Sequence, residues 1–414
     1  MNNEWNGSPD LVIVGAGIAG GALAAAAARR GLDVLLLERT LQHQDHVRGE
    51  FMPAWGVDEA SKLGVLDIFL DSGAHFVKRF VGYGEDIDPH AAEARAIQLD
   101  TLVRGVKGAL TFGHPQVCTA LDAAAVHAGA TLMRGISQLE VTAGDAPQVS
   151  FLHDGTRRSI KPKLAVAADG RGSAVARSLG IAVQSEPVHH LLCGLLVDGA
   201  DAWPDDRETI GTEGELLFYV FPQGGGKVRL YAGYAPEHRS RFSGSGNAQR
   251  LLDAFRLNSV PLSKHLVSAR PIGPCNGYPG GDTWLERIGV PGVVFIGDAA
   301  GHNCPTIGQG VTIALRDARH VLEALANDGH WSKSAFSKYS KEREERMRRL
   351  RFVAHLFSTL RCEFGPAARE RRKRAFARVA SDPRLAAPLM STQVGPFALA
   401  PEVFTSAMRD KLLA

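Results

Sequence analysis

The string Gly15-Ala16-Gly17-Ile18-Ala19-Gly20 constrains this chain more than any other feature. It follows a short apolar run, Leu11-Val-Ile-Val14, and opens an alanine-rich stretch, Ala22–Arg30, that stops at Gly31. An unbroken apolar run suits a parallel strand covered on both faces, and alanine is the strongest helix former. A second such run, Val34-Leu-Leu-Leu37, ends at Glu38. The order strand, glycine turn, helix, strand makes a βαβ unit in which each glycine has its own task. Gly15 permits the tight turn, Gly17 lets backbone approach a pyrophosphate, and Gly20 lets the helix pack closely on the strand. The helix N-terminus then presents free N–H groups and a partial positive charge to the phosphates. Glu38 lies 18 residues beyond Gly20, near the separation expected for a ribose-binding carboxylate, with Arg39 beside it.

The rest of the chain alternates in character. Leu191–Val197 and Leu216–Phe221 are β-rich, and Gly224-Gly-Gly226 before Val228–Tyr234 predicts a hairpin. Gln116–Ala128 and Val311–Leu325 read as helices, Leu164–Ala168 and Val293–Ile296 as buried strands, and residues 335–380 as mostly helical. The expected architecture is α/β: a Rossmann-type domain in three segments (1–74, 111–184, 276–330), an inserted β-sheet substrate domain in two (75–110, 185–275), and a C-terminal helical region (331–414). Phe218, Phe221 and Tyr231 are candidates for a small-molecule pocket in the inserted domain. Phe218 and Tyr219 are adjacent and must point to opposite faces of a strand. The basic stretch 338–378, with Arg346, Arg348, Arg349, Arg351 and the run Arg371-Arg372-Lys373-Arg374, is expected to be a solvated helical face because Glu342, Glu344 and Glu345 are interleaved with it.

Charge and cysteine usage narrow the function classes. A net charge of +3 over 414 residues gives no reason to expect a nucleic-acid partner. Cys118, Cys193, Cys275, Cys304 and Cys362 are scattered and odd in number, which argues against a disulfide framework or a zinc site. A reducing, cytoplasmic location is expected. Leu11–Ala28 is interrupted by turn glycines and preceded by Glu4 and Asp10, so neither a transmembrane segment nor a signal peptide is expected there.

Two further motifs follow buried strands. Asp169-Gly170-Arg171-Gly172-Ser173 suits a turn near a phosphate or ribose, although alone it is more often only a turn. Gly297-Asp298-Ala299-Ala300-Gly301 leads to Pro305, then Gly308-Gln309-Gly310 and the helix from Val311. Its carboxylate suits a polyol hydroxyl, and its glycine loop aims N–H groups and a helix dipole beyond the helix start.

These three motifs, in this order, resemble the group A FAD-dependent aromatic hydroxylases, whose fold is that of p-hydroxybenzoate hydroxylase. The resemblance covers about residues 8–330. It implies FAD as cofactor, held non-covalently, with NADPH or NADH as a transient co-substrate and O₂ activated as a flavin C4a-hydroperoxide. The product is then a hydroxylated or epoxidised small aromatic or polycyclic substrate. It implies a cofactor site formed by Gly15–Gly20, Glu38, Arg39, Asp169, Gly297, Asp298, Pro305 and Gly308–Val311. Arg48 matches a family arginine, and His114 falls where the family usually has Arg or Gln. No catalytic side chain is implied. Only one G-x-G-x-x-G is present, unlike the disulfide reductases. Flavin-dependent halogenases and prenyl reductases share the cofactor fold, and Gly49-Glu50-Phe51-Met52-Pro53 is similar to a stretch in halogenases and squalene-epoxidase-like enzymes. A non-catalytic flavin-binding protein is the remaining class.

Overall fold

A computed structural model describes residues 8–327, Trp331 and 333–414. Glu4 and His330, the latter ending one expected segment, lie outside the described residues. The first sheet has six strands in the order Gly289–Val290, Val293–Phe295, Leu164–Ala167, Leu11–Val14, Val34–Glu38 and Thr131–Arg134. All neighbours are parallel except the first pair. The unbroken apolar runs arise because both faces are covered. Leu11, Ile13, Val34 and Leu36 pack on helices Ile18–Ala28, His114–His127 and Gly310–Asn327. Val12, Val14, Leu35 and Leu37 pack on a three-stranded antiparallel sheet, Ser137–Thr142, Gln148–His153 and Thr156–Ile160. Every residue of Ile18–Ala28 is buried, and only Gly, Ala, Leu and one Ile occupy it.

The second sheet takes its strands from residues 79–98 and 190–280. Its order is Arg270–Pro271, His190–Asp198, Lys227–Tyr234, Leu216–Gly224, Arg207–Glu213, Arg79–Gly84 and Ile97–Gln98, with Asn276–Gly280 also paired to His190–Asp198. The glycine hairpin forms as predicted, Gly224 pairing with Lys227. One face of this sheet packs Phe218, Val220, Leu230 and Leu195 against Leu251, Leu252 and Phe255. The other carries Ile210, Leu217, Tyr219, Phe221 and Tyr231 and meets the C-terminal helix through Phe357 and Cys362.

Helices Ser337–Arg361, Pro366–Ser381, Ala387–Val394 and Ser406–Leu413 form the C-terminal region. Its basic stretch departs from expectation. Arg346, Arg349 and Arg372 are buried, as is Arg343. Arg343 and Arg346 are met by Asp317 on helix Gly310–Asn327, which is fully buried and pairs with both, while Arg349 and Arg372 donate to the backbone carbonyls of Pro396 and Leu360. Arg346 also reaches Glu342, 3.0 Å away. Burial alone would raise the Glu342 carboxyl, but Arg346 and Arg316 outweigh it and hold its pKa at about 2. The cluster fixes the turn at Gly297: Asp317 accepts from the Gly297 N–H at 2.8 Å, and Arg343 donates to the carbonyls of Gly297 (3.2 Å) and Gly301 (2.8 Å).

Asp317→Ala would leave two guanidiniums buried without their shared partner, which typically costs about 3–5 kcal/mol. Urea unfolding of the variant is expected to show a loss of that order. A loss below about 1 kcal/mol would mean that water or Glu342 satisfies both arginines.

Candidate active site

The glycine turn forms because two backbone approaches exclude side chains. Gly15 has φ +102°, and a Cβ there would lie 2.4 Å from the Ala168 carbonyl oxygen. At Gly20 a Cβ would lie 1.8 Å from the Gly15 carbonyl oxygen, so helix and turn touch backbone to backbone. Gly17 is different: nothing lies within 4 Å of the position its Cβ would take. It caps helix Ile18–Ala28 without any side-chain hydrogen bond. The first-turn N–H groups therefore meet open space, which is what an anion-binding helix start requires.

Glu38 holds this turn from behind. Its carboxylate accepts from the Ala16 N–H (2.9 Å), the Thr40 N–H (2.9 Å) and the Thr40 hydroxyl (2.8 Å). Burial raises its pKa, but the bonds from Thr40 and Ala16, with His43 nearby, outweigh burial and place it below the usual value. Arg39 is exposed.

Gly17 opens into a cavity of about 460 Å³. Ile18, Ala19, Arg48 and His114 line it near the glycine turn, with Asp298, Pro305 and the loop Gly308–Val311. Asp298 lies 3.3 Å from the Nε of Arg171. Arg48 has a lowered pKa, from burial and then the neighbouring Arg171, which Asp298 and Tyr278 oppose. His114 begins helix His114–His127, and its Nδ1 lies 3.2 Å from the Gly49 carbonyl oxygen. Burial lowers its pKa to about 4, so the ring is neutral at pH 7.

The sequence-predicted residues divide by position. Gly15, Ala16, Gly20 and Gly297 build the turns behind the cavity wall. Asp169 does not face the cavity; its Oδ2 accepts from the Ala174 N–H (2.6 Å) and the Val175 N–H (3.2 Å), while Gly170 and Arg171 reach the wall. Gln309 touches the cavity but anchors the loop: it accepts from the Trp55 indole N–H at 2.9 Å and donates to the Thr392 carbonyl at 3.1 Å.

Phe221 and Tyr231 line the cavity as expected from the strands that carry them. Phe218 does not, and this corrects its placement in the pocket. It is fully buried on the far face of the second sheet, its ring under Gly211, where a Cβ would lie 2.1 Å from it. The aromatic wall continues instead to Phe51, stacked on Phe221 at 5.0 Å, and Tyr219, at 5.7 Å from Phe221.

Sequence reasoning missed the strap between the sheets. Arg229 donates to Asp45 and to Glu50, both at 2.7 Å, and Tyr231 donates to the other Glu50 oxygen at 2.7 Å. Glu50 stood inside a quoted motif, but its partners are about 180 residues away and no local signal names them. Burial raises the Glu50 pKa, against the pull of Arg229 and Tyr231.

An uncapped helix start opening on a cavity, a carboxylate behind the turn, and a second glycine loop with Asp298 define a flavoprotein oxidoreductase site. A model of the FAD binding domain family matches residues 9–352, and the chain belongs to that family, with FAD as its cofactor. Squalene monooxygenase of Mus musculus is 25% identical over 325 residues, covering 75% of this chain and 54% of that protein. The chain thus spans about half the length of that relative. Menaquinone reductase of Mycolicibacterium smegmatis is 26% identical over 346 residues, covering 78% of each. The solved structure of p-nitrophenol 4-monooxygenase PnpA from Pseudomonas putida DLL-E4 shares the fold with a TM-score of 0.78 at 18% identity, covering 94% of this chain and 98% of that one.

Glu38→Ala removes the acceptor for three donors behind the turn. Charge-assisted bonds of this kind are worth about 1.5–3 kcal/mol, so FAD affinity is expected to fall roughly 10- to 150-fold. Titration of the apoprotein with FAD, followed by flavin fluorescence, measures this. Equal affinities would show that Glu38 serves only the fold.

Three histidines, His114, His190 and His302, are each lowered to about 4 by burial. Between about pH 6.5 and 4 the unfolded chain takes up protons that the folded chain refuses, so stability falls as pH falls through that window. The urea midpoint is expected to be lower at pH 5 than at pH 7.5. Replacing all three with Gln, Asn or Phe in variants that still fold should flatten that part of the profile. An unchanged slope would assign it to other groups.

Proposed function

We propose that this chain is an FAD-dependent monooxygenase that uses NADPH or NADH and O₂ to hydroxylate or epoxidise a small aromatic or polycyclic substrate. One observation carries the reading. A single cavity runs from the uncapped helix start at Gly17 to the aromatic wall of Phe51, Tyr219, Phe221 and Tyr231. Cofactor and apolar substrate would therefore share one water-poor chamber, which suits chemistry that water would intercept. Bound FAD would supply the redox chemistry, accepting electrons from the nicotinamide and delivering one oxygen atom to the substrate.

The residues take the following parts. Gly17, Ile18 and Ala19 offer N–H groups to the pyrophosphate, supported by the turn residues Gly15, Ala16 and Gly20. Glu38 has one acceptor site left for a ribose hydroxyl after its three bonds to the turn, with Arg39 on the solvent side. Arg48 meets the negative charge of the cofactor chain, and neutral His114 holds Gly49 beside it. Asp298, on the turn at Gly297, accepts a hydroxyl of the cofactor's ribityl chain. Asp169 acts at one remove, by fixing the turn that carries Gly170. Pro305 and Gly308–Val311 place the start of helix Gly310–Asn327 against the cavity, and its dipole favours negative charge there. Tyr219 donates to the Thr306 carbonyl, which ties the aromatic wall to this loop.

The five cysteines are free, and we place the protein in the reducing cytoplasm. No helix among the described residues is long and apolar enough to cross a membrane.

Turnover under ¹⁸O₂ with NADPH and a ring substrate, read by mass spectrometry, tests the proposal. One labelled oxygen atom in the product is expected. Turnover without label would make the enzyme a dehydrogenase, reductase or oxidase on this fold, and chloride in the product would make it a halogenase.

A further inference from the structure

The substrate end of the cavity contains an acidic side chain for which the proposed reaction has no task. Glu208 lies on strand Arg207–Glu213, paired with Phe80 of the neighbouring strand. Ile210, two residues on and so on the same face, packs with Phe80, Tyr219 and Phe221. Glu208 therefore belongs to the cavity face of the second sheet, and it lines the cavity with Gln393 from helix Ala387–Val394. It is 1% exposed, and no cation pairs with it among the described residues. Its one hydrogen bond is long, 3.4 Å from the Gln393 Nε2. Glu208 Oε2 and Gln393 Oε1 are both buried without a partner among the described residues.

A buried carboxyl left half-satisfied is costly, and a fold gains nothing from it unless something else completes the bonding. Burial pushes the Glu208 pKa up to about 8, opposed by the bond from Gln393. Arg361 also lines this end; its guanidinium reaches the Tyr83 carbonyl at 3.5 Å and stacks on Phe376.

We propose that Glu208 and Gln393 form the substrate-recognition pair of this cavity and select a ring compound that carries a hydroxyl group. The inference rests on the proposal that the cavity takes the substrate. A hydroxyl both donates and accepts, so it matches a carboxyl in either protonation state and the open amide oxygen of Gln393. A carboxylate, which has no donor, would leave the Gln393 amide oxygen facing another oxygen, and an unsubstituted ring would leave both atoms unpaired.

Titration of the FAD-loaded protein with 2-naphthol, 2-naphthoate and naphthalene, followed by the visible absorption of the bound flavin, tests this. Wild type is expected to bind 2-naphthol about tenfold more tightly than naphthalene. Glu208→Leu should lose that preference while naphthalene affinity holds or rises, and Glu208→Gln should fall between. The thermal midpoint of Glu208→Leu should be unchanged or higher, because a buried carboxyl with no firm partner is removed. If Glu208→Leu does not retain flavin, Glu208→Gln decides. Equal 2-naphthol affinity in wild type and variant overturns the inference. So does tighter binding of 2-naphthoate, which would make Arg361 the anchor, or no response to any of the three. Selectivity that follows Glu208 without labelled oxygen in a product would overturn only the monooxygenase proposal. Labelled product without that selectivity would overturn only this one.

Discussion

Arg229 sits on the second sheet with 1% of its surface in water, so its charge has to be met by carboxylates brought from elsewhere in the chain. Asp45 and Glu50 meet it, and both lie on the segment that follows the first two strands of the other sheet. Meeting that charge draws residues 45–50 across the gap and leaves Arg48 and Gly49 at the cavity wall between the sheets. Tyr231 completes the second Glu50 oxygen, so the aromatic wall and the strap share one bonding network. This contact ties the second sheet to the segment that lines the cavity.

A second buried cluster does similar work at the opposite wall. Asp317 joins helix Gly310–Asn327 to helix Ser337–Arg361 and, through Arg343, to the turn that presents Asp298. Gln309 ties the neighbouring loop to Trp55 and Thr392. The turn that presents Asp298 is thus held by Asp317 and Arg343, which do not face the cavity, while Lys338, Lys341, Glu344 and Arg348 of the same helix as Arg343 stay in solvent.

Legibility in the sequence followed the range of the interactions. The turn Gly15–Gly20, the strand Leu11–Val14 and the hairpin at Gly224 are local: spacing, periodicity and glycine placement are sufficient to read them. Phe218 lies on the far face of the second sheet, which the sequence leaves open: alternation says that neighbours diverge but not which one meets the core. Asp169 carries a recognisable motif, yet its carboxylate caps the short helix Ala174–Ser178, and only its neighbours reach the wall. Arg346 and Arg349 look like surface residues among glutamates, because a helix pattern cannot reveal the buried Asp317 that meets Arg346 or the Pro396 and Leu399 carbonyls that meet Arg349. Glu208 and Gln393 stand 185 residues apart, and only folding brings them together.

The far end of the cavity draws on a part of the chain that the cofactor end does not use. Every residue placed against the cofactor falls within 9–352, the span shared with the FAD binding domain family. Phe357, Leu360, Arg361, Leu389, Met390 and Gln393, which close the far end, fall after it. Substitutions in this helical tail can therefore redraw the shape and polarity of that end, while the glycine turns at Gly15 and Gly20 stay under their own steric limits. A change of specificity made in that stretch need not disturb the turns on the other side of the cavity.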